Sequence, residues 1–218
     1  MAGEMVDSSR LLILVGSPRR AGNSATLGEA VKRGAESAGS EVTLRFIDDF
    51  VTSFLRDCRT CRGPDGECRI DDQFRGLFFE DFLPARGVVF CSPVYWYGLS
   101  AQTKAFFDRT FCYYAASDPR SAEVIGGMTG KRLGLVLAAE ETYPGASLGI
   151  VHQLQEYARY THSELVSIVR GIGNSRGEVS RDPADPLTAA ERLGRELFRL
   201  PYTDYRLDTA RSGQVWGV

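Results

Sequence analysis

The chain has 218 residues, with 26 Lys and Arg against 28 Asp and Glu, a formal net charge of −2, and 43% apolar residues. That length suits one domain able to bury a core without disulfide or metal staples. The near-neutral charge sets aside nucleic acid and anionic membranes as partners, since both demand concentrated positive charge, so any anion site must be local. No apolar run reaches the roughly 18 residues that span a bilayer. The N-terminal "MAGEMVDSSR" carries acids where a signal peptide would carry bases, which predicts a cytoplasmic protein. Cys58, Cys61, Cys68, Cys91 and Cys112 make an odd set that fits a reducing compartment better than a disulfide framework.

In chain order, "LLILV" (11–15) predicts a first strand, apolar throughout as a strand buried on both faces should be. The loop "GSPRRAGNSATL" (16–27) leads into a helix whose Leu27, Ala30, Val31, Gly34, Ala35 and Ala38 recur at three and four, with Gly39 as its stop. "VTLRFI" (42–47) is a second strand, and a cysteine-bearing stretch (58–72) follows. "GVVFC" (87–91) predicts a third strand, running into "CSPVYWYGLSAQTKAFFDR" (91–109), where Ser100 stands as a helix N-cap. Phe107, Phe111 and Tyr114 continue that helix. "RLGLVLA" (132–138) and "ELVSIV" (164–169) are further strands around a helix carrying Ile150, Val151, Leu154, Tyr157 and Ala158, and a last helix covers about 188–200. Strand and helix alternating five times predict a doubly wound α/β domain over residues 10–200. The tail 201–218, with three aromatics, is expected to pack on its own domain or on a partner subunit.

In an open parallel sheet, ligands bind at the carboxyl ends of the strands. The loop after the first strand offers short donors from Ser17, Asn23, Ser24 and Thr26, close approach at Gly16 and Gly22, charge from Arg19 or Arg20, and a helix N-terminus behind it. It matches neither G-x-G-x-x-G nor G-x-x-x-x-G-K-[ST], which points to a single terminal phosphomonoester; a strand-to-helix turn with simple capping is the alternative. After the third strand, Tyr95, Trp96 and Tyr97 sit outside the central core, as a flat apolar ligand would require.

Together, "GSPRRAGNS" and "SPVYWYGLSAQTKAFFDR" resemble the NADPH-dependent FMN reductase family of flavodoxin-like proteins, near the branch that includes the iron–sulfur flavoproteins. The resemblance spans roughly residues 10–170 and implies a five-stranded parallel sheet of order 2-1-3-4-5 with helices on both faces, FMN as cofactor and NAD(P)H as co-substrate. It assigns the FMN phosphate to Ser17, Arg19, Asn23 and Ser24, and the flavin ring to Pro93, Val94, Tyr95, Trp96 and Gly98, completed by Ala139 and Glu140 after the fourth strand. Lys104, Asp108 and Arg109 also match the family's helix, where a solvated or salt-bridged face is their simpler role.

Cluster-bearing relatives use four thiolates, C-x-x-C-x-x-C and a fourth. In "CRTCRGPDGECRIDD", Cys58 and Cys61 keep the first interval, Pro64 takes the third ligand position and Cys68 remains, one thiolate short. A structural remnant is the first reading; a redox pair of Cys58 and Cys61, or a zinc site with remote His152 or His162, are the others. Asp71 or Asp72 would cap the following helix, and Cys91 and Cys112 belong to the core.

The function expected is an FMN-dependent NAD(P)H oxidoreductase passing hydride to a quinone, free flavin or other small acceptor, with the flavin carrying the chemistry and no catalytic side chain. A flavodoxin-like electron carrier, an iron–sulfur flavoprotein and a flavin-free interaction module are the alternatives. Phe106, Phe107, Phe111, Tyr113 and Tyr114 form an apolar arc wider than one sheet-facing stripe, which predicts a homodimer or tetramer.

Overall fold

A computed structural model describes residues 9–56, 62–115 and 118–202. Strands β1 (Arg10–Val15), β2 (Glu41–Phe46) and β3 (Gly87–Tyr95) are followed by a two-residue strand β4 (Gly98–Leu99), then β5 (Arg132–Ala139) and β6 (Glu164–Ile172). The five long strands are parallel in the order β2-β1-β3-β5-β6, and β4 folds back antiparallel on the end of β3. Counting only long strands, this is the predicted order 2-1-3-4-5.

Side chains alternate between the two faces of a strand. Leu11, Ile13 and Val15 of β1 therefore pack under helices α1 (Asn23–Ser37) and α6 (Pro186–Glu196), with Val89, Cys91, Val136 and Ala138. Leu12 and Leu14 face the other layer, with Val88, Phe90, Leu135 and Leu137. Covering that layer are α2 (Phe74–Gly76) with the π-helical turn Leu77–Phe82, α3 (Ala101–Tyr114), α4 (Ser121–Met128) and α5 (Leu148–Thr161). Gly39 adopts φ 82° just past α1, and Ser100 caps α3 by accepting from the Thr103 N–H, as the sequence predicts.

The first layer is closed by backbone contact. A Cβ at Gly34 would overlap the Glu191 carbonyl, and one at Gly194 the Val31 carbonyl. Gly34→Ala would gain about 1 kcal/mol of helix propensity, but it forces α1 and α6 apart, and overpacking typically costs about 1–3 kcal/mol. A lower urea midpoint is expected; an unchanged or higher one would contradict the close approach.

The other layer corrects the reading of α3. Its aromatic arc is largely consumed inside the domain: Phe106, Phe107 and Tyr113 are buried, and Tyr113 stacks on Phe78 at 4.9 Å and Phe74 at 6.0 Å. Phe74 comes from α2, and Phe78, Phe79 and Phe82 come from the π-helical turn, which is closed by the Leu83 N–H donating to the Phe78 carbonyl at 2.8 Å. Phe111 alone of the arc stays exposed, at 52%. Cys91 and Cys112 are buried, as expected, whereas Cys58 and Cys61 lie outside the described residues, as does most of the tail.

At the far end of the sheet from the cleft described below, the buried Lys131 ammonium donates to the carbonyls of Leu83 (3.0 Å) and Ala85. Burial pulls its pKa from 10.5 down to about 8. Between those two values the unfolded chain holds a proton that the folded one has shed, so stability rises with pH across the window. The amplitude is roughly 3 kcal/mol at 1.36 kcal/mol per unit. Urea midpoints between pH 8 and 10 should show this rise relative to Lys131→Met; parallel profiles would contradict it.

Candidate functional site

The site is built at the carboxyl ends of β1, β3, β5 and β6. As β1 ends, the Gly16 N–H donates to the Cys91 carbonyl of β3 at 2.8 Å, and the Gly16 carbonyl accepts from Ser100 Oγ at 2.7 Å. Ser100 Oγ also meets Thr103 Oγ1 at 2.9 Å, and the Ser100 N–H donates to Ser92 Oγ at 3.2 Å. These buried hydroxyls stitch the first loop to the turn after β3. A Cβ at Gly16 would collide with Thr103 Oγ1, which is why glycine stands there.

Helix α1 begins from Gly22 in extended conformation, with no side-chain cap and no acid in its first turn. Its first intrahelical bond is the Thr26 N–H to the Gly22 carbonyl, so the amides of Asn23, Ser24 and Ala25 have no intrahelical acceptor. Ser17 and Ser24 are both buried beside this end. The result is a donor-rich pocket at a positive dipole end.

Residues assigned from the sequence to the phosphate and the ring line one cleft. Its inner part, about 230 Å³, is lined by Ser17, Arg19, Asn23 and Ser24 together with Pro93, Val94, Tyr95, Ala139 and Glu140. A wider outer part, about 570 Å³, shares Val94, Tyr95, Ala139 and Glu140, and adds Trp96, Tyr97 and Glu141. Gly98 lines neither; it pairs with Tyr95 in the β3–β4 hairpin and so shapes the turn that presents the rings. Trp96 and Tyr97 hold left-handed backbone, φ 49° and 59°. This conformation is uncommon for bulky residues and tends to persist where surrounding structure enforces it, often at binding sites. Trp96 is 95% exposed, so no packing within the domain accounts for its position.

Two sequence assignments change in detail. Asn23 spends its amide on the loop after β6, donating to the Gly173 carbonyl at 2.8 Å and accepting from the Val179 N–H at 3.4 Å. Arg20 turns away, bonding Asp48 and Asp49 and lying 4.1 Å over the Phe46 ring, which leaves Arg19 as the basic side chain of this loop in the cleft.

The loop after β6 is the component that the sequence reading missed. Gly173, Asn174 and Arg176 line the inner part of the cleft. Asn174 Nδ2 donates to Glu140 Oε1 at 3.2 Å, joining this loop to the one after β5. The Glu178 carboxylate accepts from the N–H groups of Ser175 (2.8 Å) and Asn174 (2.9 Å), which hold its pKa below the ordinary value. Arg176 is thus carried on a pinned loop, and among the described residues neither it nor Arg19 makes an ion pair.

Among the described residues of the cysteine stretch, none lines the cleft. Cys68 is half-buried in a bridge with Arg62, and among the described residues no group of three His, Cys, Asp or Glu is placed to hold a metal. The N-cap of α2 is Gln73 rather than Asp71 or Asp72, although Asp72 accepts from the Phe74 N–H at 3.2 Å just ahead of it, and Lys104 pairs with Asp108 on the exposed face of α3.

A doubly wound sheet with a donor-rich turn after β1 and an aromatic turn after β3, at the carboxyl ends of its strands, has the architecture of α/β binding proteins. The family model for the flavodoxin-like fold matches residues 9–194, and the chain belongs to that family. YwqN of Bacillus subtilis (strain 168), which carries the provisional name NAD(P)H-dependent FMN-containing oxidoreductase, is 23% identical over 184 residues, 84% of this chain and 96% of its own length. An iron–sulfur flavoprotein of Archaeoglobus fulgidus is 39% identical over 101 residues, 46% of this chain and 50% of that protein, so the match spans about half of each. Among solved structures, the Trp repressor binding protein from Bacillus subtilis shares the fold with a TM-score of 0.65 at 21% identity, over 84% of this chain and 99% of that one.

Proposed function

We propose that this protein binds FMN and oxidises NAD(P)H, passing the reducing equivalents to a quinone, free flavin or other small acceptor. The observation that carries this reading is the cleft itself, whose inner end gathers amides, buried hydroxyls and two guanidiniums while its outer end offers three aromatic rings. A molecule with a phosphomonoester at one end and a flat ring system at the other meets both. Ser17, Ser24, Arg19 and Arg176 would hold the phosphate, and Pro93, Val94, Tyr95, Trp96 and Ala139 would lie along the ring; Asn23 positions the loop after β6. When bound, FMN supplies hydride and electron transfer. The chain's own share is to bind, orient and leave one side open to small molecules.

The purified protein should show flavin absorption, and steady-state oxidation of NADH or NADPH with menadione or free FMN as acceptor should separate an enzyme from an electron carrier. Flavin without NAD(P)H oxidation would establish the carrier; absence of flavin, with no uptake of added FMN, would overturn the reading. With Pro64 in place of a thiolate, we place no cluster beside the flavin, and iron and acid-labile sulfide assays after anaerobic purification test that. The homodimer or tetramer expected from α3 is carried forward on Phe111 alone. Light scattering that returned 24.0 kDa at micromolar concentration would refute it.

A further inference from the structure

We propose that the outer part of the cleft, walled by Tyr95, Trp96 and Tyr97 and carrying Glu140 and Glu141, takes planar aromatic cations, so that positively charged ring compounds are preferred acceptors. The inference rests on the oxidoreductase reading above and concerns the class of acceptor.

Positive charge is confined to one end of the cleft. Arg19 and Arg176 line only its inner part, Glu140 lines both parts, and Glu141 lines only the outer part, whose lining includes no lysine or arginine. Arg170 of β6 supports this rim from its backbone side, donating to the carbonyls of Thr142 (2.7 Å) and Tyr143 (2.8 Å). Tyr143 stands 6.5 Å from Tyr97, extending the wall of rings. The neighbouring Tyr143 and Glu141 raise the pKa of the Tyr97 phenol, as expected where further negative charge is resisted. Aromatic faces are themselves electron-rich and attract cations. Aromatic rings lining one opening together with two carboxylates therefore suit a flat cation and repel a flat anion.

The net reaction is the transfer of one hydride equivalent, NAD(P)H and an acceptor cation giving NAD(P)+ and a neutral reduced acceptor. Two electrons and one proton reach the acceptor. Its positive charge disappears, so the product loses the attraction that held the substrate.

The test is a charge series at one exposed position, wild type, Glu141→Gln and Glu141→Lys, in FMN-loaded protein at low salt. Without NAD(P)H, methylene blue as the cation is titrated by its own red absorption and anthraquinone-2-sulfonate as the anion by competition. Each step of the series should weaken methylene blue by about threefold, as expected for unit charges several ångströms apart in a water-like dielectric. It should strengthen the sulfonate similarly, and both trends should fade at high salt. The ratio of kcat/KM for methylene blue to that for neutral menadione should fall in step. Dye affinities indifferent to residue 141, or a wild type that binds the sulfonate as tightly as methylene blue, would overturn the proposal. Failure to oxidise NAD(P)H with menadione would instead remove the oxidoreductase reading, and the binding series would still report on the charge preference.

Discussion

Asp72→Ala should destabilise the fold by about 3–5 kcal/mol, the cost of leaving one member of a buried ion pair alone. Asp72 and Arg109 are paired with side chains 1% and 2% exposed. The Arg109 guanidinium also lies 4.4 Å over the Phe74 ring and donates to the Ser53 carbonyl at 3.4 Å, while Asp72 accepts from the N–H groups of Thr52 (3.1 Å) and Phe74 (3.2 Å). One pair therefore ties the segment after β2, α2 and α3 together. Removing both charges in Asp72→Ala/Arg109→Met should recover part of the loss, because the uncompensated cation is gone. Urea unfolding measures both; a single variant within 1 kcal/mol of wild type, on the order of a surface change, would refute the argument. Burial pushes the Asp72 carboxyl up, but the hydrogen bonds from Arg109, Thr52 and Phe74 outweigh it and hold the pKa below the usual carboxylate value. Its contribution is complete above about pH 4, the unfolded value, and is lost as acidification protonates the folded carboxylate.

Ser17→Ala/Ser24→Ala should weaken FMN by about a hundredfold or more and leave riboflavin nearly unchanged. Each hydroxyl that donates to a phosphate dianion contributes about 1.5–3 kcal/mol, and 1.4 kcal/mol is about a tenfold change in affinity. Both hydroxyls are buried at the start of α1, and Ser17 Oγ accepts from the Arg19 N–H at 3.3 Å, leaving its own proton available. Fluorescence titration of apoprotein with the two flavins checks this. Equal losses for both would move the phosphate elsewhere.

The strands were legible because β1, β3 and β5 are buried on both faces, which leaves little choice but a run of aliphatic residues. From the sequence, Pro93 predicts that β3 ends at Cys91. The strand continues to Tyr95 because Ser92 and Pro93 keep register with Leu137 and Ala138 of β5. The acids Asp71 and Asp72 signal the start of a helix, but "FRGLFFEDF" shows no 3.6 spacing because its π turn shifts the apolar positions, and that segment is what absorbs the rings of α3. The turns after β1 and β3 could be picked out within their own short stretches, by their donors and aromatics and by the resemblance those stretches carry. The loop with Arg176 could not, because "GIGNSRG" is ordinary turn composition and enters the cleft only when β6 returns to the sheet edge beside β5. For the same reason Asn23 read as a ligand-facing donor, when its partners lie 150 and 156 residues away.

The hydroxyl stitching of Ser92, Ser100 and Thr103 to Gly16 turns the cleft into a gauge. The turn after β1 and the hairpin after β3 are bonded into one frame, which resists any change in the gap between the proposed phosphate site and the ring wall. A ligand is then measured by the tether between its two ends as much as by the ends themselves. Flavin phosphates whose side chain is shortened by a carbon or two should bind markedly worse than FMN although both recognised groups are intact. Thr103→Val, which cuts one bond of the frame, should narrow that difference.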